Sequence, residues 1–379
     1  MINQNFDTIN IDNVVTYLLE HKLINNNSIV DGDLQIFDVS RKNKNIKVIR
    51  KNDTSFLLKQ SNPTDTQSST TIKREALLYA LMQNDEDFLP LLNISPRLID
   101  FDVEKNLMIT EFVIGSSFRD HILYAMNETD TKYVGLLGKT IANYHYSFAK
   151  KATNQKLKFL PRTFIFENLL IHPGPEIFIS LSQANMKLLK IIQKDQKIYD
   201  LLEGIVSSWD LQTLIHGDIK FDNIIIASSK KSTKSVNKIL ITDWEMATIG
   251  DPAWDIGSIF QEFVRLWLSL LPITGADSAE QLINISKESF QNMQRFLRAF
   301  WNGYYEGTDD KSAKELNELL IKSTNFCSLR LIQSAYEMLT SQSELNNLAV
   351  YMIQISSNIL ASTDNAITHL LGIPLRLEL

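Results

Sequence analysis

Two acidic segments in the middle of the chain each adjoin an apolar run. The segment HGDIKFDN covers residues 216–223 and precedes three isoleucines, while the segment DWE covers residues 243–245 and follows the run ILIT. Metal-assisted phosphoryl transfer requires oxygen ligands for the metal, a base for the acceptor hydroxyl and a cation beside the phosphates. The two segments contain all of these groups and therefore predict this chemistry.

Individual residues in these segments suit separate roles. Asp218 is a carboxylate that could accept the proton of a hydroxyl, and Lys220 could lie against the transferring phosphate. Asn223 and Asp243 offer the hard oxygen ligands that Mg²⁺ prefers. A hairpin that connects the two apolar runs would bring Asn223 and Asp243 to the same end of a sheet.

The first part of the chain must position the rest of such a site, and its pattern is that of an antiparallel meander. Strand-like runs separated by polar connectors lie at residues 34–39, 46–50, 55–59, 97–103 and 107–112. The polar segment 60–71 predicts a mobile loop. A helix is expected next, at residues 72–83, with Glu75 beside an apolar face formed by Ala76, Leu77, Ala80 and Leu81.

The remainder of the chain has mainly helical periodicity. Helices are predicted at residues 132–149, 179–206, 254–270, 278–306, 312–340 and 345–361. His145 lies on the apolar face of the first of these, which favours a buried packing role. The sequence thus predicts the α+β fold class, with a small antiparallel-sheet lobe at residues 1–112 and a mainly helical lobe at 113–379.

Composition excludes several other kinds of protein. The 379 residues include 38 Lys and Arg against 44 Asp and Glu, and this net charge of −6 gives no support for nucleic-acid binding. Because Cys327 is the single cysteine, an internal disulfide is excluded, and this fits a cytoplasmic protein. Cys327 itself is expected to be buried. We find no signal-peptide pattern and no apolar run approaching the ~18 residues of a membrane span, so no membrane association is predicted.

The central motifs resemble those of a known family. HGDIKFDNI, ITDWE and DPAWDIGS are similar to the catalytic loop, metal-binding loop and following helix of aminoglycoside phosphotransferase and choline kinase-like enzymes, which have a protein-kinase-like fold. The resemblance implies Asp218 as catalytic base, and Asn223 and Asp243 as ligands of Mg²⁺. It also implies ATP or GTP as the phosphoryl donor, and that Asp255 braces the catalytic loop.

The resemblance continues upstream of these motifs. Lys59 ends the third predicted strand, where kinases place the lysine that holds the α- and β-phosphates, and Glu75 occupies the position of its helix partner. The segment ITEFV resembles the kinase hinge, so backbone groups of Glu111 and Val113 are implied to bond the nucleotide base. The similarity spans residues 34–260 or so, and the helical tail fits only in outline.

Departures from the family pattern narrow the function. The connector at residues 40–45 has no glycine, although Ser40 or backbone amides could still reach phosphate. Its basic residues Arg41, Lys42 and Lys44 could add positive charge there, and a solvated turn is an equal alternative. Gly217 stands where many protein kinases have an arginine that senses a phosphorylated loop, and few residues follow Asp243 before the next helix. Both features favour a small acceptor and a constitutively active enzyme. Lys220 replaces the histidine of aminoglycoside phosphotransferases, which argues against an antibiotic acceptor.

The sequence therefore predicts an ATP- (or GTP-) and magnesium-dependent kinase that phosphorylates a hydroxyl group of a small molecule. Glu245 and Glu262 are candidates for contacts with a cationic acceptor, although a solvated Glu262 is equally compatible with the pattern. A peptide- or protein-modifying kinase and a catalytically inactive nucleotide-binding scaffold are the alternatives. The acceptor, the choice of ATP or GTP and the oligomeric state are left open.

Overall fold

The computed structural model describes residues 8–40, 43–62, 65–125, 130–149, 151–164, 181–227, 238–271, 279–308 and 311–375, with only the backbone at 279–285. The chain forms two compact units. Unit 1 comprises residues 1–118 and 223–246, and unit 2 comprises residues 119–222 and 247–379. For the basic segment 227–238 the sequence predicts a solvated hairpin loop, and residues 228–237 of it lie outside the described residues, as do Arg41 and Lys42.

The strands of the described residues are, in chain order, β1 (Leu34–Asp38), β2 (Lys44–Arg50), β3 (Phe56–Gln60), β4 (Leu98–Asp102), β5 (Leu107–Glu111), β6 (Gly115–Ser117), β7 (Thr213–Ile215), β8 (Ile224–Ala227), β9 (Lys238–Ile241) and β10 (Thr248–Gly250). Single helical turns lie at Glu86–Phe88, Gln155–Leu157, Phe221–Asn223 and Trp244–Met246, and Ala366–Leu371 forms a wider π-helical turn.

The helices are α1 (Val14–Glu20), α2 (Asn26–Val30), α3 (Thr66–Asn84), α4 (Leu89–Leu92), α5 (Phe118–Ala125), α6 (Lys132–Ala149), α7 (Gln183–Lys194), α8 (Gln196–Ser207), α9 (Pro252–Ser269), α10 (Ala279–Glu306), α11 (Ala313–Met338), α12 (Asn347–Ala361) and α13 (Thr363–Asn365). No helix of the described residues combines the length and apolarity that crossing a membrane requires.

Unit 1 is built on the predicted antiparallel meander. Its five-stranded sheet has the order β1-β2-β3-β5-β4, and a second sheet has the order β6-β8-β9. Alternate residues of β2 and β3, among them Ile46, Val48 and Leu58, are buried with Val14 and Leu18 of α1. This alternation gives the sheet one apolar face that α1 covers.

The predicted loop at 60–71 is wrong for its second half, because α3 begins at Thr66. The Asp65 side chain accepts hydrogen bonds from the backbone N–H groups of Gln67 and Ser68 and so caps the helix. The hydroxyls of Thr70 and Thr71 donate to carbonyls one turn earlier. Polar residues that suggested a loop are thus accommodated by capping and by bonds within the helix.

Unit 2 is mainly helical, as predicted, and α9 is its most buried helix. Asp251 caps α9 and Pro252 begins it, while Cys327 of α11 is fully buried, as expected. Helices α6 and α10 approach closely because glycines face the contact: a Cβ atom on Gly138 would lie 2.1 Å from the carbonyl oxygen of Phe300. This close packing holds α6, which carries Tyr144 and His145.

Candidate active site

Lys59 is the centre of a charged cluster in unit 1. Its Nζ lies 2.9 Å from Oε2 of Glu75, 2.7 Å from Oδ1 of Asp243 and 2.7 Å from Oε2 of Glu245. The structure therefore brings Lys59 and Glu75 together, as the sequence predicted, and adds two carboxylates from the DWE segment. One ammonium group faces three carboxylates, so the cluster has an excess of negative charge.

Burial and mutual interaction change the titration of this cluster. Burial by itself lowers the pKa of Lys59, but the three carboxylates outweigh it, so this pKa lies well above its ordinary 10.5 and the ammonium group stays charged. Burial raises the pKa of Glu75 from its ordinary 4.5 to about 7, with Lys59 opposing the rise and Asp243 and Glu245 adding to it. Glu75 consequently keeps a proton at pH values where an exposed glutamate has lost it.

This shift predicts a pH dependence of stability. The folded chain retains the Glu75 proton between pH 4.5 and about 7, where the unfolded chain has released it. The contribution of Glu75 to the free energy of unfolding must therefore fall as pH rises through this window. We expect Glu75→Gln to flatten the change in urea midpoint across this window, and Glu20→Gln, at an exposed position in unit 1, to leave it as in wild type. Equal slopes in wild type and Glu75→Gln would contradict this.

A hairpin places the two predicted metal ligands at the same end of a sheet in unit 1. Ile224 of β8 pairs with Ile241 of β9, and the N–H of Thr242 donates to the carbonyl oxygen of Asn223 at 2.8 Å. Asp243, the next residue, has φ +66°, a left-handed conformation that aspartate tolerates better than most residues. Asp243 thus lies just beyond the end of β9, and 35% of its side chain is exposed.

The glycine-free connector between β1 and β2 is tied to this cluster by Asn43. Its Nδ2 donates to Oε2 of Glu245 at 3.3 Å, and its Oδ1 accepts from the hydroxyl of Ser68 at 2.8 Å. Lys44, a candidate phosphate contact, instead forms an ion pair with Asp38. Glu245, suggested from the sequence as a contact for a cationic acceptor, is therefore engaged by Lys59 and Asn43.

The predicted hinge follows β5 in unit 1. The N–H of Glu111 donates to the carbonyl of Arg97 at 2.8 Å, and the N–H of Phe112 donates to the carbonyl of Ser55 at 2.7 Å. Of the Glu111 backbone, only the carbonyl oxygen could therefore serve a bound base. The Val113 N–H makes no hydrogen bond within the described part of the chain. A carbonyl acceptor and an N–H donor are complementary to the amino group and the ring nitrogen that lie side by side on one edge of adenine.

Asp218 is the centre of a second cluster, in unit 2. Its Oδ2 lies 2.7 Å from Nζ of Lys220, and its Oδ1 accepts from Nη2 of Arg330 at 3.3 Å. The Asp218 N–H donates to Nδ1 of His216 at 3.3 Å. The side chain is 27% exposed, so a carboxylate oriented by two cations remains within reach of a substrate.

The turn before Asp218 is held by the start of α9. Gly217 has φ +81°, a left-handed conformation that favours glycine. Asp255 accepts hydrogen bonds from the N–H groups of His216 at 2.8 Å and Gly217 at 3.0 Å, and Nε1 of Trp254 donates to the Gly217 carbonyl at 2.8 Å. Successive residues of α9 thus bind both polar sides of the turn, and Asp255 has the bracing contacts that the resemblance implied.

Asp255 is fully buried, and its carboxylate accepts further hydrogen bonds from side chains of α6. The Tyr144 hydroxyl donates to it, and Nε2 of His145 lies 3.3 Å from its Oδ2. Burial by itself raises the pKa of Asp255, but the hydrogen bond and charge of His145 outweigh it and lower this pKa overall. His145 is buried, as predicted, and its other nitrogen contacts the hydroxyl of Tyr304.

Replacing Asp255 by asparagine is expected to destabilise the chain by about 3 kcal/mol, because an amide turns one acceptor into a donor among buried donors. Urea unfolding near neutral pH measures this loss. The matched variant Asp364→Asn, at an exposed position, is expected to stay within about 0.5 kcal/mol of wild type. An Asp255→Asn chain as stable as wild type would show that the bracing contacts contribute little.

Arginines neutralise two further carboxylates of unit 2, Asp222 in the HGDIKFDN segment and Glu262 on α9. Nε of Arg119 lies 2.7 Å from Oδ1 of Asp222, and its Nη2 lies 3.3 Å from Oε2 of Glu262. Glu262 is 3% exposed, pairs also with Arg265 and accepts from the N–H of Phe221 at 3.1 Å. The expectation of a solvated Glu262 is therefore wrong, because the side chain is buried and its charge is balanced inside the fold.

Arg330 is the main residue near Asp218 that sequence reasoning missed. It belongs to no motif and follows Asp218 by more than a hundred residues. One signal was present: Arg330 lies among Leu329, Leu331 and Ile332 in a helical pattern, and an arginine in such a position is buried only when it has a partner.

A family model described as the phosphotransferase enzyme family matches residues 33–281. This is more than half of the 379-residue chain, and it includes every predicted site residue from Lys59 to Asp243. The comparison with curated protein sequences returned no match.

Solved structures similar to this chain include three kinases. Ethanolamine kinase from Plasmodium vivax has 18% identity and a TM-score of 0.54, with 93% of this chain and 88% of that chain covered. Choline kinase from Cryptosporidium parvum has 14% identity and a TM-score of 0.54, covering 96% and 99%. An amicoumacin kinase in complex with AMP-PNP, Ca²⁺ and Ami has 12% identity and a TM-score of 0.53, covering 91% and 96%. These similarities concern the fold, and they confirm the predicted α+β, protein-kinase-like class.

Proposed function

Because the chain belongs to the phosphotransferase enzyme family, we propose that it transfers a phosphoryl group from ATP or GTP to a hydroxyl group of a small molecule, with Mg²⁺. One observation supports the proposal: the segment that matches the family contains every residue predicted for the site. Within each unit, these residues form ion pairs that suit their proposed roles. Lys59 has its carboxylate partner in unit 1, and Asp218 has its cations in unit 2.

Asp218 is proposed as the base. It orients the acceptor hydroxyl and takes its proton as the hydroxyl oxygen bonds to the γ-phosphorus, while the bond from that phosphorus to the bridging oxygen breaks and the nucleoside diphosphate leaves. Lys220, which lies 2.7 Å from Asp218, is proposed to contact the transferring phosphate as well. A base held in one orientation contributes to catalysis because little rotational freedom is lost when the substrate binds.

Residues of unit 1 are proposed to bind the nucleotide. Lys59, oriented by Glu75, is proposed to contact the α- and β-phosphates, replacing one of its present carboxylate partners. The carbonyl of Glu111 and the N–H of Val113 are proposed to bond the base. The similar amicoumacin kinase was solved with AMP-PNP, which supports a nucleotide donor for a chain of this fold.

Asn223 and Asp243 are proposed to hold Mg²⁺, and their chemistry fits a hard cation. The Asp243 carboxylate is partly exposed, and oxygens of Glu75, Asp243 and Glu245 lie within 4.8 Å of one another beside a single ammonium group. A divalent cation would reduce this excess of negative charge. When bound, it would neutralise the phosphate oxygens of the donor.

A small acceptor is favoured by the chain that follows Asp243. The turn Trp244–Met246, strand β10 and helix α9, which begins at Pro252, follow in immediate succession. This leaves no long segment of the kind that binds peptide substrates in protein kinases. The ethanolamine and choline kinases with similar structures are named for amino alcohols, and these compounds are the first acceptors to test.

An acceptor screen tests the proposal. Purified chain with Mg²⁺ and ATP or GTP is incubated with amino alcohols, hydroxy acids, sugars and amicoumacin-type antibiotics, and nucleoside diphosphate release is followed. We expect one class to stimulate release and to yield a product heavier by one phosphate, with Asp218→Asn as the blank. Phosphate incorporated only into added proteins would favour the protein-kinase alternative, and no turnover with any acceptor would overturn the proposal.

A further inference from the structure

Helix α11 carries a continuous series of polar side chains in unit 2. Nη1 of Arg330 donates to Oε1 of Gln333 at 2.6 Å, and Nε2 of Gln333 donates to Oε1 of Glu337 at 2.6 Å. Spacings of three and four residues place these side chains on one face of the helix. Glu337 is exposed, whereas Gln333 is 3% and Arg330 4% exposed. The series therefore runs from the surface into the interior.

The buried end of this series reaches the catalytic loop. Nη2 of Arg330 donates to Oδ1 of Asp218 at 3.3 Å, and its guanidinium carbon lies 5.2 Å from the ring centroid of Trp254. Trp254 is the residue whose indole N–H binds the Gly217 carbonyl. Burying an arginine lowers the stability of the fold unless its charge is paired. The guanidinium group is planar, so few of its orientations can make the contacts with Asp218, Gln333 and Trp254 at the same time.

These contacts restrict the carboxylate of Asp218. An aspartate side chain rotates broadly about its last torsion when nothing holds it. Here Oδ1 faces Arg330 and Oδ2 faces Lys220. Lys220 is 39% exposed and has a flexible stem, whereas Arg330 is held by Gln333 on one side and by Trp254 on its ring face. The rigid partner is therefore the one on α11.

We propose that the series Arg330–Gln333–Glu337 is a positioning relay that orients Asp218 for proton abstraction, with Arg330 as its acting member. The inference rests on the proposed function, since it concerns the base of that reaction. All three residues lie in the helical tail, beyond the segment 33–281 that matches the family model. Arg330 acts through Asp218 and is a positioning residue.

The activity test uses full-length chain, ATP and Mg²⁺, with water as the acceptor and phosphate release as the readout. We expect Arg330→Met to lower kcat by roughly 10- to 100-fold with KM for ATP unchanged, because it removes a group that orients the base. Arg330→Lys should restore part of the rate. The control Arg298→Met removes an exposed arginine that donates to the Gly372 carbonyl, and it should behave as wild type.

A double-mutant cycle separates positioning from a general structural effect. If Arg330 acts through Asp218, adding Arg330→Met to Asp218→Asn should lower the rate no further. In the protein without nucleotide, the loss of melting temperature in the double variant should be smaller than the sum of the two single losses. If Arg330→Met fails to fold, Arg330→Lys and Gln333→Leu take its place, and both should lower kcat with KM for ATP unchanged.

The outcomes distinguish the inference from the proposed function. A wild type without Asp218-dependent turnover, both with water and with every acceptor of the screen, would overturn the proposed function and this inference together. An active wild type overturns the inference alone if the Arg330 and Gln333 variants keep its kcat. The same holds if the effects of Arg330 and Asp218 variants simply add, in rate or in melting temperature.

Discussion

Asp218→Asn is expected to lower kcat for phosphoryl transfer by about 10²- to 10⁴-fold while the chain stays folded, because an amide cannot accept the proton of the acceptor hydroxyl. The amide oxygen can still accept a hydrogen bond from Arg330 or Lys220, so the loop keeps much of its geometry. The partly exposed position of Asp218 limits the effect on stability. Nucleotide affinity should be preserved, because the proposed nucleotide contacts belong to unit 1.

Steady-state kinetics and nucleotide binding by calorimetry measure the two halves of this expectation. Asp364→Asn makes the same chemical change at an exposed position and should retain full activity. An Asp218→Asn enzyme with wild-type kcat would remove Asp218 from the role of base. Loss of kcat accompanied by loss of folded protein would instead indicate a structural role for the loop.

Lys59→Met is expected to have the largest effect on stability, roughly 3–5 kcal/mol, because it removes the cation from a largely buried group of carboxylates. Glu75 is 2% exposed and pairs with Lys59. Without Lys59, this buried carboxylate would face only the carboxylates of Asp243 and Glu245. Nucleotide affinity should also fall, since the ammonium group proposed to bind the phosphates is lost. Urea unfolding and nucleotide titration measure the two effects.

The pH dependence of this variant follows from Glu75. Its pKa is already raised to about 7 by burial with Lys59 present. Without Lys59 the proton is held more firmly, so the variant should be nearest to wild type in stability at mildly acidic pH and weakest above neutral pH. The matched control is Lys44→Met, which breaks an ion pair whose partners are each about a third exposed and should leave the urea midpoint close to that of wild type. Equal losses for both lysine variants would contradict the expectation.

Local patterns were sufficient for most secondary structure. The strand-like runs between polar connectors predicted every strand of the five-stranded sheet, and the predicted helix at 132–149 coincides with α6 (Lys132–Ala149). The face of α3 was predicted less well. Its buried residues include Ile72, Glu75, Tyr79 and Met82, whereas Leu77, assigned to the apolar face, is 46% exposed. Hydrophobicity alone could not place a glutamate at the centre of a buried face, because the stabilising partner Lys59 lies on another element.

The candidate site divides in the same way. The sequence by itself determined the groups that can do chemistry, because a base, a lysine and metal ligands must occur as particular residue types at short spacings, as they do from Asp218 to Asn223. Tertiary structure alone decided which charges pair: Glu245 with Asn43, Glu262 with Arg119, and Asp218 with Arg330. Each of these pairs joins residues more than a hundred positions apart. The reason is physical, since motifs record the bonding needs of one loop, whereas the stability of a buried charge depends on whichever distant side chain the packed helices and strands bring to it.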